Sequence, residues 1–217
     1  MARLSRHFFE GYTPNVARAL LGTVLVRIVD GKTLSGMIVE TEAYRGTRDP
    51  ASHAYRGRTE RNAVMFGEGG HAYVYFSYGF HWCLNVTTEP AGRAGAVLIR
   101  AVMPIDGLGE MIRNRSLASD ESVTDGPGKL TQALEIDSVM NGEDLVTSNR
   151  LFVEEGSWVN RAGSSSRVGV SQGVALRWRF FVKGNRFVSK ANHRGLTEPI
   201  TKAYEDAKFV GSSASLV

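Results

Sequence analysis

Tyr73-Val74-Tyr75-Phe76-Ser77-Tyr78-Gly79-Phe80-His81-Trp82-Cys83-Leu84-Asn85 is the stretch on which the reading of this chain turns. Successive strand side chains point to opposite faces of a sheet. Folded as a hairpin, the stretch therefore separates Val74, Phe76, Trp82 and Leu84, continued by Val86, from Tyr73, Tyr75, Ser77, His81, Cys83 and Asn85. The first set is an apolar face for a core, and the second is a row of aromatic and hydrogen-bonding groups that a core does not need. At the bend, Gly79 supplies the backbone freedom of a tight turn, with the rings of Tyr78 and Phe80 on either side. Large rings at a turn are poorly suited to water and well suited to being wedged into something, stacked nucleic-acid bases among the possible targets.

Working outward, Asp30-Gly31 separates two further strand patterns, 23–29 and 32–43, and is itself a hairpin signal. Thr13-Pro14 reads as a hydroxyl cap followed by proline at the first helical position, with Gly22 as the stop. The pattern predicts a short strand over 97–101, a helix over 105–117, and a second helix from Gly126-Pro127 to Leu134. It predicts a last hairpin from 178–182 and 186–189 around Gly184-Asn185, and long loops over 116–126 and 156–173. Strands in antiparallel pairs with helices between them give an α+β class, expected as a single domain over 1–210 with a frayed tail over 211–217.

Composition narrows the functional classes. At 217 residues and 42% hydrophobic the chain can bury a core, and 26 Lys+Arg against 22 Asp+Glu leave a net charge of +4 that tilts toward a polyanionic partner. The single cysteine, Cys83, excludes an internal disulfide and a cysteine metal cluster, and the histidines have no zinc-type spacing, so neither metal nor cofactor is expected. The N-terminal stretch lacks the apolar run of a signal peptide, and no segment approaches a membrane span. The expectation is a soluble intracellular protein of cytoplasm or nucleoid, or of the nucleus in a eukaryote, without membrane partners.

Several motifs carry chemistry. Gly126-Pro127-Gly128-Lys129-Leu130 resembles the end of a phosphate-binding loop, but Val123 and Leu130 stand where that motif wants glycine and Ser or Thr, so an NTPase reading fails. Lys129 remains able to meet one phosphate. In Glu40-Thr41-Glu42-Ala43-Tyr44, alternation puts both carboxylates and the phenol on one face, where repulsion and burial are expected to raise the pKa of one acid. The alternative is an exposed strand end with two solvated glutamates. Arg100 interrupts the apolar run 96–103 and needs an anion if buried, with Glu40 or Glu42 the obvious partner. The loop from His53 to Asn62 carries Arg56, Arg58 and Arg61 and suits phosphate contacts, although such loops are often simply solvated.

These residues also carry a resemblance. Val39 to Tyr44, the His53 loop ending in Arg61-Asn62, Met65-Phe66, Tyr73-Val74-Tyr75 with Tyr78-Gly79, Asn85, Leu98 to Ala101, Gly126-Pro127 with Lys129-Leu130 and Gln132 to Leu134, and Arg167-Val168-Gly169 occur in the order found in the alkyladenine (3-methyladenine) DNA glycosylases. The similarity runs from about Phe8 to Ser189. It implies a mixed α/β domain with a curved antiparallel sheet, peripheral helices and a protruding, DNA-intercalating hairpin. It implies an enzyme of base excision repair that flips alkylated or deaminated purines, such as 3-methyladenine and hypoxanthine, out of duplex DNA and hydrolyses the N-glycosidic bond without metal or covalent intermediate.

Carried over position by position, the resemblance makes Glu42 the general base for the attacking water, held with help from Arg100 and the main-chain carbonyl of Val168. It places the flipped base between Tyr44 and Tyr75, with His53 near its edge and Asn85 at the floor, disfavouring the amino group of guanine. Tyr78 becomes the wedge, with Met65, Phe80 and His81 on the same minor-groove surface, and Arg58, Arg61, Arg115 and Lys129 face phosphates. The partner implied is double-stranded DNA with damaged purines, bound by a monomer. Two other readings compete: a DNA-binding module without catalysis, and a carbohydrate glycosidase using Glu40 and Glu42 as a carboxylate pair.

Overall fold

The stretch over 73–85 folds as its alternation requires. Strands Ala72–Ser77 (β3) and His81–Thr87 (β4) pair antiparallel with Tyr73 opposite Asn85, Tyr75 opposite Cys83 and Ser77 opposite His81. Tyr78 and Gly79 at the bend both have positive φ, 50° and 76°. Val74, Leu84 and Val86 enter the main core while Phe76 and Trp82 pack on each other near the tip, with ring centroids 4.7 Å apart. This computed structural model describes residues 1–157 and 159–190 and the backbone of strand Leu196–Glu198. The tail expected over 211–217, and the end of the span 1–210, lie outside the described residues.

Before the hairpin come helices Arg6–Phe9 (α1) and Thr13–Ala19 (α2) and strands Val24–Val29 (β1) and Lys32–Tyr44 (β2). After it come strand Ala96–Asp106 (β5), helices Leu108–Asn114 (α3) and Pro127–Ala133 (α4), and strands Leu151–Glu154 (β6), Ala162–Ser165 (β7), Arg179–Val182 (β8) and Leu196–Glu198 (β9). All strand pairs are antiparallel, in the order β3-β4-β5-β2-β8-β7-β9, with β1 joining β2 to β6. The class is α+β, a curled antiparallel sheet with few and short helices.

β2 organises the sheet because it is long enough to hold several neighbours. β5 lies along one side, whereas β1 takes the first half of the other side and β8 takes residues 40–42. Pairing with β5 slips on both sides of Glu40, skipping Val39 on β2 and Arg100 on β5. Such bulges re-aim side chains. Ahead of the slip Leu34 and Ile38 belong to the main core, and beyond it Val39 and Ala43 do, while Thr41 bonds through Oγ1 to the Ala17 carbonyl of α2 at 2.7 Å. Glu40, Glu42 and Tyr44 are thereby left together on the other face.

Several local expectations are corrected. Thr13 is not a cap: Tyr12 occupies that position, and the Thr13 hydroxyl donates to Glu89 Oε1 at 2.9 Å. The strand expected over 97–101 extends to Asp106 because β2 offers a partner over its whole length, so the helix expected over 105–117 begins only after Gly107, at φ 76°. The loop expected over 156–173 contains β7, which pairs with β8. The hairpin expected around Gly184-Asn185 is absent, because residues 186–189 leave the sheet and end against Glu40 through Ser189. Among the described residues no helix is long and apolar enough to cross a membrane.

Candidate active site

The polar face of the β3–β4 hairpin opens into a cavity. Tyr73, Tyr75, Ser77, His81, Cys83 and Asn85 all line it, with Tyr44 from β2 and Leu98 and Arg100 from β5 closing the back. Its volume is about 380 Å³, room for a single flat heterocycle and a sugar. At its floor Asn85 is buried and donates from Nδ2 to the Tyr73 carbonyl at 3.0 Å. His53 reaches in from its loop, with Nδ1 2.9 Å from the Tyr73 hydroxyl and its ring 4.5 Å from that of Tyr75 at 70°. Desolvation at the wall and the charge of Arg61 push the His53 pKa below its usual value, which favours the neutral ring.

Behind the cavity, and reaching it through Arg100, lies a buried ionic cluster. Glu42 accepts from the Val168 N–H through Oε1 at 2.7 Å and from the Tyr44 hydroxyl through Oε2 at 2.7 Å, while Arg100 Nη1 stands 3.4 Å from Oε2. Arg100 Nε donates to Glu40 Oε1 at 2.7 Å, and Arg179 Nε, from β8, donates to the same oxygen at 2.7 Å. Ser189 adds its N–H to Glu40 Oε2 at 2.7 Å and its hydroxyl to Oε1 at 2.9 Å. Both carboxylates are buried, at 0% exposure, while Tyr44, Arg100 and Val168, which touch Glu42, line the cavity. The two acids differ in surroundings. Glu40 accepts four hydrogen bonds, three of them at Oε1, whereas among the described residues Glu42 accepts two, from Val168 at Oε1 and from Tyr44 at Oε2, and so keeps the larger free acceptor capacity.

For Glu40 the electrostatics run opposite to a raised pKa. Burial pushes the Glu40 pKa up, but Arg100 and Arg179 outweigh that and hold it below its ordinary value. Repulsion between neighbouring acids therefore does not raise it, because two guanidinium charges lie between and beside them. Burial and the adjacent Glu42 raise the Tyr44 phenol well above its usual range, and burial with the nearby Cys83 raises that of Tyr75. Both rings face the cavity as neutral phenols.

At the tip, Tyr78 and Phe80 are 79% and 73% exposed, and their rings stack 6.2 Å apart. Tyr78 lines the cavity mouth and holds a left-handed backbone that costs a non-glycine residue about 1 kcal/mol or more, a strain that collects at functional positions. His81 borders the same mouth. Met65 does not join that surface: at 1% exposure it packs with Ala54, Tyr73, Ala94 and Ala96 and borders the cavity from within.

The basic residues expected to meet phosphate are scattered around the cavity. Arg61 lines it, donating to the Phe76 carbonyl at 3.3 Å with its guanidinium 5.6 Å from the Tyr75 ring, and Arg58 is exposed on the same loop. Arg115 bonds to Gln132 Oε1 at 2.6 Å, and Lys129 pairs with Asp125 at 2.8 Å. Neither Arg115 nor Lys129 enters the cavity, although Pro127 at the start of α4 does.

Sequence reasoning gave no role to three supports. Arg179 is buried between Trp178 and Phe180, the same charge-in-an-apolar-run signal that singled out Arg100. Arg167 donates to Asp49 at 2.8 Å and to the Ala43 carbonyl at 2.9 Å, and its guanidinium lies 4.7 Å from the Tyr44 ring, which fixes the turn that presents Val168. Ser189 gave no signal, since only the folded path of the tail brings it to Glu40. Among the described residues no group of His, Cys, Asp and Glu is arranged to hold a metal ion.

The architecture and cavity have relatives. The profile of the family described as methylpurine-DNA glycosylase matches residues 7–186. The chain is 48% identical over 193 residues to a "Putative 3-methyladenine DNA glycosylase" of Chlorobium phaeovibrioides, covering 88% of this chain and 98% of that protein. A protein of the same name from Carboxydothermus hydrogenoformans is 47% identical over 189 residues, covering 86% and 98%. One from Rhodopseudomonas palustris is 46% identical over 193 residues, covering 87% and 91%.

Proposed function

The chain belongs to the methylpurine-DNA glycosylase family, and we propose that it rotates alkylated or deaminated purines, 3-methyladenine and hypoxanthine among them, out of duplex DNA and hydrolyses their N-glycosidic bond. It is thus read as a DNA-repair hydrolase that leaves an abasic site. The single observation that carries the mechanism is the Glu42 carboxylate, fixed by Tyr44, Arg100 and Val168 directly behind a cavity of purine size.

In this reading the flipped purine lies between the Tyr44 and Tyr75 rings. Alkylation gives the purine a positive charge, and each phenol face attracts such a ring by roughly 0.5–2 kcal/mol. Glu42 takes a proton from a water bound at its open lone pair, the water oxygen forms a bond to C1′, and the C1′–N bond breaks with its electron pair leaving on the purine. The carboxylate also stabilises the cation-like sugar as the bond opens. Arg100 and the Val168 backbone help hold the water. Tyr78 fills the space the nucleotide vacates, beside Phe80 and His81, and Asn85 disfavours the amino group of guanine. Arg58, Arg61, Arg115 and Lys129 meet phosphates, and the protein acts inside the cell as a single-domain monomer.

The arginines around Glu40 count against a carbohydrate glycosidase, because they hold its pKa below the ordinary value, whereas the acid member of a glycosidase carboxylate pair needs its pKa raised. The test is a set of duplexes each carrying one hypoxanthine, 3-methyladenine or other altered purine, incubated with the protein and then treated with alkali. Strand breaks at the lesion are expected. A protein that binds these duplexes yet yields no lesion-dependent break with any of them is a binding module instead.

A further inference from the structure

We propose that Glu40 is a positioning residue that divides the charge of Arg100, so that Arg100 holds Glu42 without neutralising it. The proposal rests on the reading of Glu42 as the base. Arg100 contacts both acids, and it divides unequally: Nε is 2.7 Å from Glu40 Oε1, Nη1 is 3.4 Å from Glu42 Oε2. An arginine facing a single carboxylate commonly docks as a two-pronged fork. Such a fork on Glu42 would occupy the lone pairs that a water needs and stabilise the carboxylate, making it a weaker base. Glu40 prevents this by taking the Nε edge of the guanidinium, and the slip in the β2–β5 pairing places Glu40 and Arg100 together there.

Glu40 does not keep its place by accident. Arg179 Nε and both donors of Ser189 hold it from β8 and from the chain beyond, which fixes its carboxylate independently of Arg100. Four charges thus balance in the buried cluster, two acids against two guanidiniums. Arg179 is also the direct sheet partner of Glu42, so its charge bears on that acid as well. The remaining groups that face Glu42 are Tyr44 on its own strand and Tyr75 and Cys83 on the hairpin, all neutral as phenols or thiol, with Arg167 beyond Tyr44.

The test is the pH dependence of single-turnover release of 3-methyladenine from methylated DNA. That purine leaves without needing a proton, so the acid limb reports the ionisation of Glu42. In Glu40→Gln the uncharged amide oxygen holds Arg100 less strongly than the carboxylate does, so Arg100 turns toward Glu42, and the acid limb is expected to move to lower pH, with a slower plateau. Arg179→Met removes a positive charge and leaves Glu40 a stronger hold on Arg100, so the limb is expected to move to higher pH. Arg179→Lys keeps the charge and the limb of the unaltered protein. A slower plateau with an unmoved limb in both charge-changing variants overturns the proposal and leaves Glu40 a scaffold residue. Should Glu40→Gln fail to fold by circular dichroism, the Arg179→Met and Arg179→Lys pair decides alone, and an identical limb in the two rejects the idea. Unimpaired release by Glu42→Gln is a different failure, that of Glu42 as the base.

Discussion

Glu40 and Glu42 are two positions apart, equally buried, and chemically identical in the sequence, yet the fold gives one of them four hydrogen-bond donors and the other two. The consequence for stability follows from linkage. The folded pKa of Glu40 lies below its ordinary 4.5, so the unfolded chain binds that proton more readily. Its contribution is complete above about pH 4.5 and is lost as the pH falls through the folded value. Denaturant titrations between pH 3 and 7 should show stability falling on the acid side, and in Glu40→Gln part of that slope should vanish while neutral stability drops by about 3 kcal/mol, the cost of leaving buried guanidiniums uncompensated. An unchanged acid slope would mean that Glu40 titrates alike folded and unfolded. At this scale the sequence was informative where a charge broke an apolar run, as at Arg100. It missed the lowered pKa of Glu40, because two like charges in a row say nothing of the guanidiniums that the sheet brings beside that acid from β5 and β8.

Elements were legible in proportion to how local their signals are. The Asp30-Gly31 turn and the hairpin over 73–85 depend on neighbours in the chain, and both formed in the expected register. The length of β5, the pairing of β7 and the path of 186–189 depend on partners far away, and there local pattern failed. The slip at Glu40 belongs to the same class: nothing in Val39-Glu40 marks it, yet it decides which face of β2 meets the core. The hairpin tip makes its own prediction. Since Tyr78 is 79% exposed, Tyr78→Ala should leave thermal stability within about 0.5 kcal/mol of the unaltered protein. It should nonetheless weaken binding to lesion duplexes, measured by fluorescence anisotropy, while Glu42 and the cavity stay intact. Equal affinity and equal excision in Tyr78→Ala would remove the wedge from the account.

For the whole molecule, the net charge of +4 sets an electrostatic footprint but not its location. The structure distinguishes the basic residues that the sequence treated alike. Arg58 is exposed, whereas Lys129 already pairs with Asp125. Arg58→Ala should therefore flatten the dependence of log Kd on log salt by about 0.9, the value of one phosphate contact, and Lys129→Ala should flatten it less. Equal slopes for the two variants would show that the Asp125 pair opens fully on DNA. Catalysis at saturating protein should be untouched in either. The claim on which the rest depends is that Glu42 activates the water. Its most direct measurement is single-turnover base release by Glu42→Gln on a duplex with one 3-methyladenine or hypoxanthine, read beside the affinity of the same variant for that duplex. Affinity close to that of the unaltered protein is expected, with release slower by about 10²–10⁴-fold. Release at an undiminished rate, with binding intact, would contradict the claim.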